Sequence, residues 1–466
     1  MMRHDELVRS STAPRAARPR RSAFARLTLL SLGGLSLLTA CAWDRFDQLR
    51  ANPPVESLDK QTDRARGFGQ AVATTRLGET VMAIVSGGAG SDPASAYTLG
   101  SRENPQLDPY DDDHCLPSPA GKICAVIEQP AALAQGRAGG ESRDLCFVSG
   151  FGKAGQDFGL WTRCIDFFED VYPVPTDLED DFVTPLLAGQ RLPELRLATD
   201  RTDEPVMLAG SGKLRRAWVY APLLDTPIDV TPNGTAAAGF GHTVAVLRTD
   251  TSTLLAVGSS EANSVWLFSF DGTTVEPLGC SSGPDGFGEV LAAGDTNGDG
   301  APDLAVTASD GVHVLDGAAL AALAPSAEPA CAEGAFAELV RLTCATNDDT
   351  PSCGGSNFGH ALTVADLDGD GTGEIVVGAP NMTVRDVESA GAALVFDASG
   401  KHLDTRIVSD ATAGANFGSS LAAASQGEEG ANGARDILVV GAPGAQRTNL
   451  VYCATVTSTD ISVRCE

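Results

Sequence analysis

The chain has 466 residues, with 33 Lys and Arg against 61 Asp and Glu, for a formal net charge of −28 at pH 7. That acidity excludes nucleic acid and anionic lipid surfaces as natural partners, since both would be repelled, and it suits a protein that takes divalent cations. Abundant Gly (51 residues) with 6% aromatics favours many short strands and tight turns over long helices.

The first 40 residues hold seven Arg and two acids, so the rest of the chain is more acidic still, with 26 basic against 59 acidic residues. Basic residues lead into "LTLLSLGGLSLLTAC", residues 27–41. This apolar run is shorter than the about 20 residues that a spanning helix needs, and it reads as the h-region of a signal peptide. It ends in Leu38-Thr39-Ala40-Cys41, which resembles a bacterial lipobox. That resemblance implies a signal peptide over 1–40 and lipidation of Cys41 as the first mature residue. An ordinary secretory signal with a stray Cys, or an uncleaved anchor, is the rival reading. Arg20-Arg21 is weakly similar to a twin-arginine signal, but Phe24 falls one place too late. Ala42 rather than Asp after the lipid site resembles the sorting rule for outer-membrane lipoproteins. The expected location is the cell envelope, anchored by lipid and facing the periplasm or the outside. Residues 41–66, with Pro53-Pro54 and mixed charges, read as the lipidated Cys and a flexible tether.

Setting Cys41 aside leaves ten Cys, an even number that suggests disulfides in an exported chain. Sequence neighbours suggest Cys115 with Cys124, Cys146 with Cys164, Cys344 with Cys353 and Cys453 with Cys465, which leaves Cys280 and Cys331. Sequence alone does not fix this connectivity. A zinc site is the alternative, but no CxxC pair occurs and there are six His.

From residue 67 the chain repeats. "GFGEVLAAGDTNGDGAPDLAVTASDGVHVLDG" begins at Gly286, "NFGHALTVADLDGDGTGEIVVGAPN" at Asn357, and "NFGSSLAAASQGEEGANGARDILVVGAPGA" at Asn416. Each unit opens on Phe-Gly, runs through a short strand and a turn, then enters an apolar strand ending near Gly-Ala-Pro. Fainter copies begin at Gly67 ("GFGQAVATTRLGETVMAIVSGGAG") and Gly239 ("GFGHTVAVLRTDTSTLLAVGSS"). Two more, at 132–152 and 195–212, rest on strand signals alone. A period of this length holding several strands signals a solenoid or propeller, because one small sheet cannot bury both faces alone.

The units resemble the FG-GAP repeat of the integrin alpha-subunit β-propeller, over residues 67–466. The resemblance implies an all-β fold, a single propeller of seven four-stranded blades. "DISVRC" (460–465) reads as the last unit's own final strand, so an N-terminal closing strand is not required. The resemblance also implies strand–loop–strand calcium sites. The residues support this independently. "DTNGDGAPDLAV" offers Asp295, Asn297, Asp299 and Asp303, with the backbone carbonyl of Ala301 between the last two. "DLDGDGTGEIVV" offers Asp366, Asp368, Asp370 and Glu374, with the carbonyl of Thr372. Both begin like EF-hands, with acids or amides at positions 1, 3 and 5 and Gly at 6. Both lack the Glu of position 12, where Val306 and Val377 stand, and carry their last acid at position 9, just before a strand. Calcium takes six to eight hard oxygens in irregular geometry, so two Ca²⁺ sites are expected. An Asp/Asn/Gly-rich turn without metal is the alternative. A third site near Asp436 is doubtful, since its loop "SQGEEGANGARD" starts at Ser425 and has acids only at Glu428 and Glu429 before that Asp. A structural role for the ions is favoured, because a bound cation relieves repulsion within each loop and pins the hairpin.

No GxSxG elbow, HExxH or GxxxxGK[ST] motif occurs, so no catalytic residues are assigned. His242 and His360 share one repeat position after Phe-Gly, which points to a structural slot. "DPYDDDHC", with His114, is an acidic insertion that also qualifies as a further cation loop. Two functions from different classes follow. The first is a lipid-anchored adhesion or interaction module whose loops take a protein or glycan, with "WTRCIDFFEDVYPVPTDLEDDF" (161–182) as the preferred patch. The second is a hydrolase or lyase working in the central funnel.

Overall fold

The computed structural model describes residues 195–445 with short gaps, and elsewhere strand segments between residues 55 and 185 and between 447 and 462. The signal segment, Cys41, His114 and Cys115, Cys124, Cys353, Cys453 and Cys465 lie outside the described residues.

Among the described residues, the repeats fold mainly as antiparallel meanders, and the strands order into seven sheets of four or five strands and two two-stranded hairpins. In chain order the innermost strands are Ala71–Leu77, Leu133–Gly136, Leu195–Thr199, Phe240–Arg248, Leu291–Gly294, Ala361–Ala365 and Ser420–Ser425. We number the sheets 1 to 7 in that order. The second strands of sheets 3 to 6 (Met207–Ser211, Thr253–Ser259, Asp303–Ala308 and Glu374–Ala379) are buried at every residue. This explains why they read as continuous apolar runs rather than alternating ones, since both faces are covered. The cover comes from neighbouring sheets. Leu304 and Val306 of sheet 5 pack with Ala245 and Leu254 of sheet 4. Ile375 and Val377 of sheet 6 pack with Val312 and Val314 of sheet 5. Each such side chain contributes about 2 kcal/mol on burial.

The Phe-Gly and Gly-Ala-Pro signatures interlock across sheet boundaries. A Cβ on Gly378 would lie 2.1 Å from the carbonyl oxygen of Gly418 in the next sheet, and one on Gly258 would lie 2.3 Å from that of Gly288. Sheet 5 has Thr307 at the corresponding place, and its hydroxyl donates to the Gly359 carbonyl at 2.7 Å. The Gly of one unit therefore makes room for the Phe-Gly backbone of the next, or a hydroxyl bonds it. The innermost strands touch in chain order, and Ser420–Ser425 touches Ala71–Leu77. Gly441 of sheet 7 likewise abuts the Gly69 carbonyl, 1.9 Å from where its Cβ would be. The sheets are therefore the blades of an all-β propeller, a radial arrangement that leaves only short edges.

The outer strand of blade 7 departs from the sequence reading. It is Val55–Asp59, which lies within the expected tether of residues 41–66 and pairs antiparallel with Arg447–Val451. "DISVRC" does not supply it. Ile461–Ser462 instead forms a small hairpin with Thr455–Val456. The difference has a local cause: five residues of mixed polarity that precede the first Phe-Gly carry no repeat signal.

Cys280 and Cys331, the pair left over by elimination, form a disulfide with a Cα–Cα distance of 4.5 Å. It fastens Cys331–Glu333 as a fifth, parallel strand on the outer edge of blade 4. Cys344 is also disulfide-bonded. Cys146 and Cys164 are directly opposed register partners in blade 2.

Candidate metal centre

Both acidic loops join the first and second strands of their blades. In each, the side chains at positions 1, 3 and 5 curl the backbone by accepting amide hydrogens further along. Asp295 Oδ1 accepts from Gly298 N at 2.7 Å and its Oδ2 from Gly300 N at 2.8 Å. Asn297 Oδ1 accepts from Asp299 N at 2.9 Å, and Asp299 Oδ1 from Ala301 N at 2.8 Å. The second loop repeats this. Asp366 accepts from Gly369 N at 2.7 Å and Gly371 N at 2.9 Å, Asp368 from Asp370 N at 3.1 Å, and Asp370 from Thr372 N at 2.8 Å. The Thr372 hydroxyl also donates to Asp370. Gly300 and Gly371, at φ +83° and +90°, take the left-handed backbone that lets each loop close on itself.

The loops diverge at position 9. Asp303 is 0% exposed. Its Oδ2 accepts from Thr296 N at 3.1 Å and Thr296 Oγ1 at 2.5 Å, and its Oδ1 accepts from Gly317 N at 2.8 Å. Gly317 opens the short helix Gly317–Ala321 after the third strand, so the start of that helix occupies one oxygen of the Asp303 carboxyl, which burial raises and Asp299 raises further. Blade 6 has a tight turn at the same point, Asp397 to Lys401. Its Glu374, one methylene longer, receives Leu367 N at 2.8 Å on Oε2. Glu374 lies with Asp366 and Asp368 so that one ligand oxygen from each falls within 4.8 Å of the others. Among the described residues this is the one cluster of three or more potential metal-binding carboxylates, cysteines and histidines. The Ala301 carbonyl faces Gly317, and the Thr372 methyl packs toward Gly298 of the other loop.

The electrostatics follow from this burial. Glu374 is pushed up to about 8, chiefly by burial and further by Asp368, Asp366 and Asp370, against the pull of the Leu367 amide. Burial also raises Asp366 and Asp368; repulsion from Asp436 and Asp370 adds at Asp366, and repulsion from Asp370 and Asp366 adds at Asp368. Arg435 opposes the shift at Asp368 but does not reverse it. Buried carboxylates held together without enough positive charge are costly. An all-oxygen set of this kind fits a hard divalent cation.

Asp436, the residue of the doubtful third site, faces the second loop instead. Its amide donates to the Asp366 carbonyl at 2.7 Å, and its Oδ2 accepts from Asp366 N at 3.1 Å. Between blades 5 and 6 the matching amide is Gly373 N, which donates to the Asp295 carbonyl at 2.8 Å. Asp436 thus stands where Gly373 stands, one place ahead of the position-9 acid, and buried Ile437 takes the acid's place. Position 9 of the third loop is therefore Ile437 rather than Asp436, and residues 426–434 of that loop lie outside the described residues.

Sequence reasoning passed over His313, which is 3% exposed. Its Nδ1 lies 2.8 Å from Glu338 Oε2 and its Nε2 lies 2.9 Å from Asp310 Oδ1. Each ring nitrogen therefore faces a carboxyl group. Burial opposes ionisation of Asp310 and Glu338, but His313 and Arg341 hold both carboxyls below the usual range. The cluster ties the third strand of blade 5 to its outer strand. His242 and His360 both lie at the entry to an innermost strand, and His360 Nδ1 is 3.0 Å from Asn357 Nδ2.

The family model for the FG-GAP repeat matches residues 287–318 and 358–396, which are the units that carry the two acidic loops. No curated protein matches the chain. Among solved structures, the crystal structure of AofleA from Arthrobotrys oligospora is similar at a TM-score of 0.40 and 8% identity, over 76% of this chain and 90% of that one.

Proposed function

From a β-propeller built on FG-GAP repeats, we propose a lipid-anchored, calcium-stabilised interaction module of the cell envelope that takes a protein or glycan on its loops. The propeller fold supports an interaction role in general, since a rigid ring presents many loops for recognition. The observation that carries the calcium reading is the gathering of Asp366, Asp368 and buried Glu374 within one repeat that the FG-GAP model matches. Asp370 completes the side-chain set, and Asp295, Asn297 and Asp299 offer a second, less acidic loop. The ion would neutralise the cluster and pin the hairpin, a structural role. "LTAC" at 38–41 supports the lipid anchor and outer-membrane placement. The non-catalytic reading over a hydrolase or lyase in the funnel rests on the sequence, in which no GxSxG, HExxH or GxxxxGK[ST] motif occurs.

The test is thermal unfolding of the full chain in calcium and in chelator, beside Asp370→Ala, followed by glycan-array and cross-linking assays in both conditions. Saturation at about a hundred times Kd stabilises by about 2.7 kcal/mol, so chelation is expected to lower the melt by several degrees, and Asp370→Ala to reproduce most of that drop. Equal melts in calcium and chelator would refute the calcium reading. Glycosidic turnover in the funnel would refute the non-catalytic one.

A further inference from the structure

We propose that Asp436 is a positioning residue for the cation loop of the preceding blade, so that blade 7 helps to build the site in blade 6. This rests on the calcium reading above. Asp366 is position 1 of the loop, and both its oxygens already receive loop amides. Its own backbone is held from outside. Asp436 N donates to its carbonyl, and Asp436 Oδ2 receives its amide. The pair is reciprocal and joins residues 70 positions apart. At the equivalent boundary between blades 5 and 6, Gly373 makes only the first of these bonds, since glycine has no side chain to make the second. The same segment brings Arg435 close enough to act on Asp368. Two fixed backbone bonds set the direction from which the Asp366 carboxylate meets an ion. A ligand held in place loses less freedom on binding. Asp436 also explains its own loop: the acid that fails to serve blade 7 serves its neighbour.

The experiment is calorimetric titration of calcium into the chelator-treated full chain in an Asp299→Ala background, which weakens the first loop and leaves the 366–374 site to be read. Asp436→Ala and Asp436→Asn are compared there, with the calcium-free melt of each. Groups that orient a metal's ligands typically change affinity ten- to a hundredfold, so Asp436→Ala is expected to weaken calcium about tenfold. Asp436→Asn keeps an oxygen acceptor for Asp366 N and is expected to stay within about threefold of the parent. A purely structural staple would lower the calcium-free melt of Asp436→Ala and leave the affinity unchanged, and that result would overturn the proposal. Equal weakening by both variants would also overturn it, because it would assign the effect to charge rather than to the hydrogen bond. A parent that takes up no calcium would refute the calcium reading itself, and this inference with it.

Discussion

At the scale of single residues, the acid at position 9 has different partners in the two loops. Asp303 and Glu374 both open the second strand of their blade. Asp303 is consumed by Thr296 and Gly317, whereas Glu374 stays with Asp366 and Asp368. The consequence is a pH dependence with a definite sign. The Glu374 carboxyl, raised from 4.5 to about 8, keeps its proton in the folded state where the unfolded chain has lost it. Wherever the folded state binds more protons, stability falls as pH rises. In chelator, the urea midpoint is therefore expected to fall between about pH 4.5 and about pH 8 through this group. Glu374→Gln should flatten that fall, and saturating calcium should abolish it by favouring the ionised form. A midpoint in chelator that rises across the same window in the parent but not in Glu374→Gln would show that the carboxyl is not held protonated. The Asp/Asn/Gly spacing and the position-9 acids were legible in the sequence. The hydrogen bond from Gly317 to Asp303 was not, because it comes from a helix that begins fourteen residues later in the chain.

At the scale of elements, the Gly of each second strand and the Phe-Gly of the next unit form one joint. The sequence shows both motifs, and their recurrence revealed the fold. What it cannot show is that they touch, since they lie in different blades. Thr307 illustrates the point. It breaks the Gly-Ala-Pro pattern, yet it keeps the joint by bonding Gly359. Space, rather than turn geometry, is what Gly378 provides, since a Cβ there meets backbone at 2.1 Å and backbone cannot swing aside. Gly378→Ala is expected to destabilise by about 3 kcal/mol, at the upper end for overpacking. Gly300→Ala tests the contrary case. Nothing lies within 4 Å of its Cβ position, and the left-handed backbone alone costs about 1 to 2 kcal/mol. Chemical denaturation of the two variants side by side checks this, and equal losses would refute the joint.

At the scale of the whole molecule, the question is how a ring of sheets is fastened. Blade 7 draws three strands from the C-terminal region and its outer strand from Val55–Asp59. Side chains add to the seam: Ser420 Oγ donates to the Gly69 carbonyl at 2.8 Å, and Thr74 Oγ1 to the Ala423 carbonyl at 2.7 Å. A ring whose last sheet mixes both ends of the domain cannot lose blade 7 without also releasing the N-terminal segment, so closure couples distant parts of the chain. The repeat pattern was silent on this strand because pairing with Arg447–Val451 uses backbone groups, which every residue carries. Deleting residues 1–54 should therefore leave the melt unchanged, whereas deleting 1–61 should lower it by several degrees and bare the edge at Arg447–Val451. An unpaired edge is a template for another chain, so the longer deletion is also expected to self-associate on size exclusion. Hydrogen exchange at residues 447–451 separates closure from a general loss of stability. Protection should fall there in the longer deletion while blades 4 and 5 stay protected. If the two deletions melt alike and exchange alike, Val55–Asp59 does not close the ring.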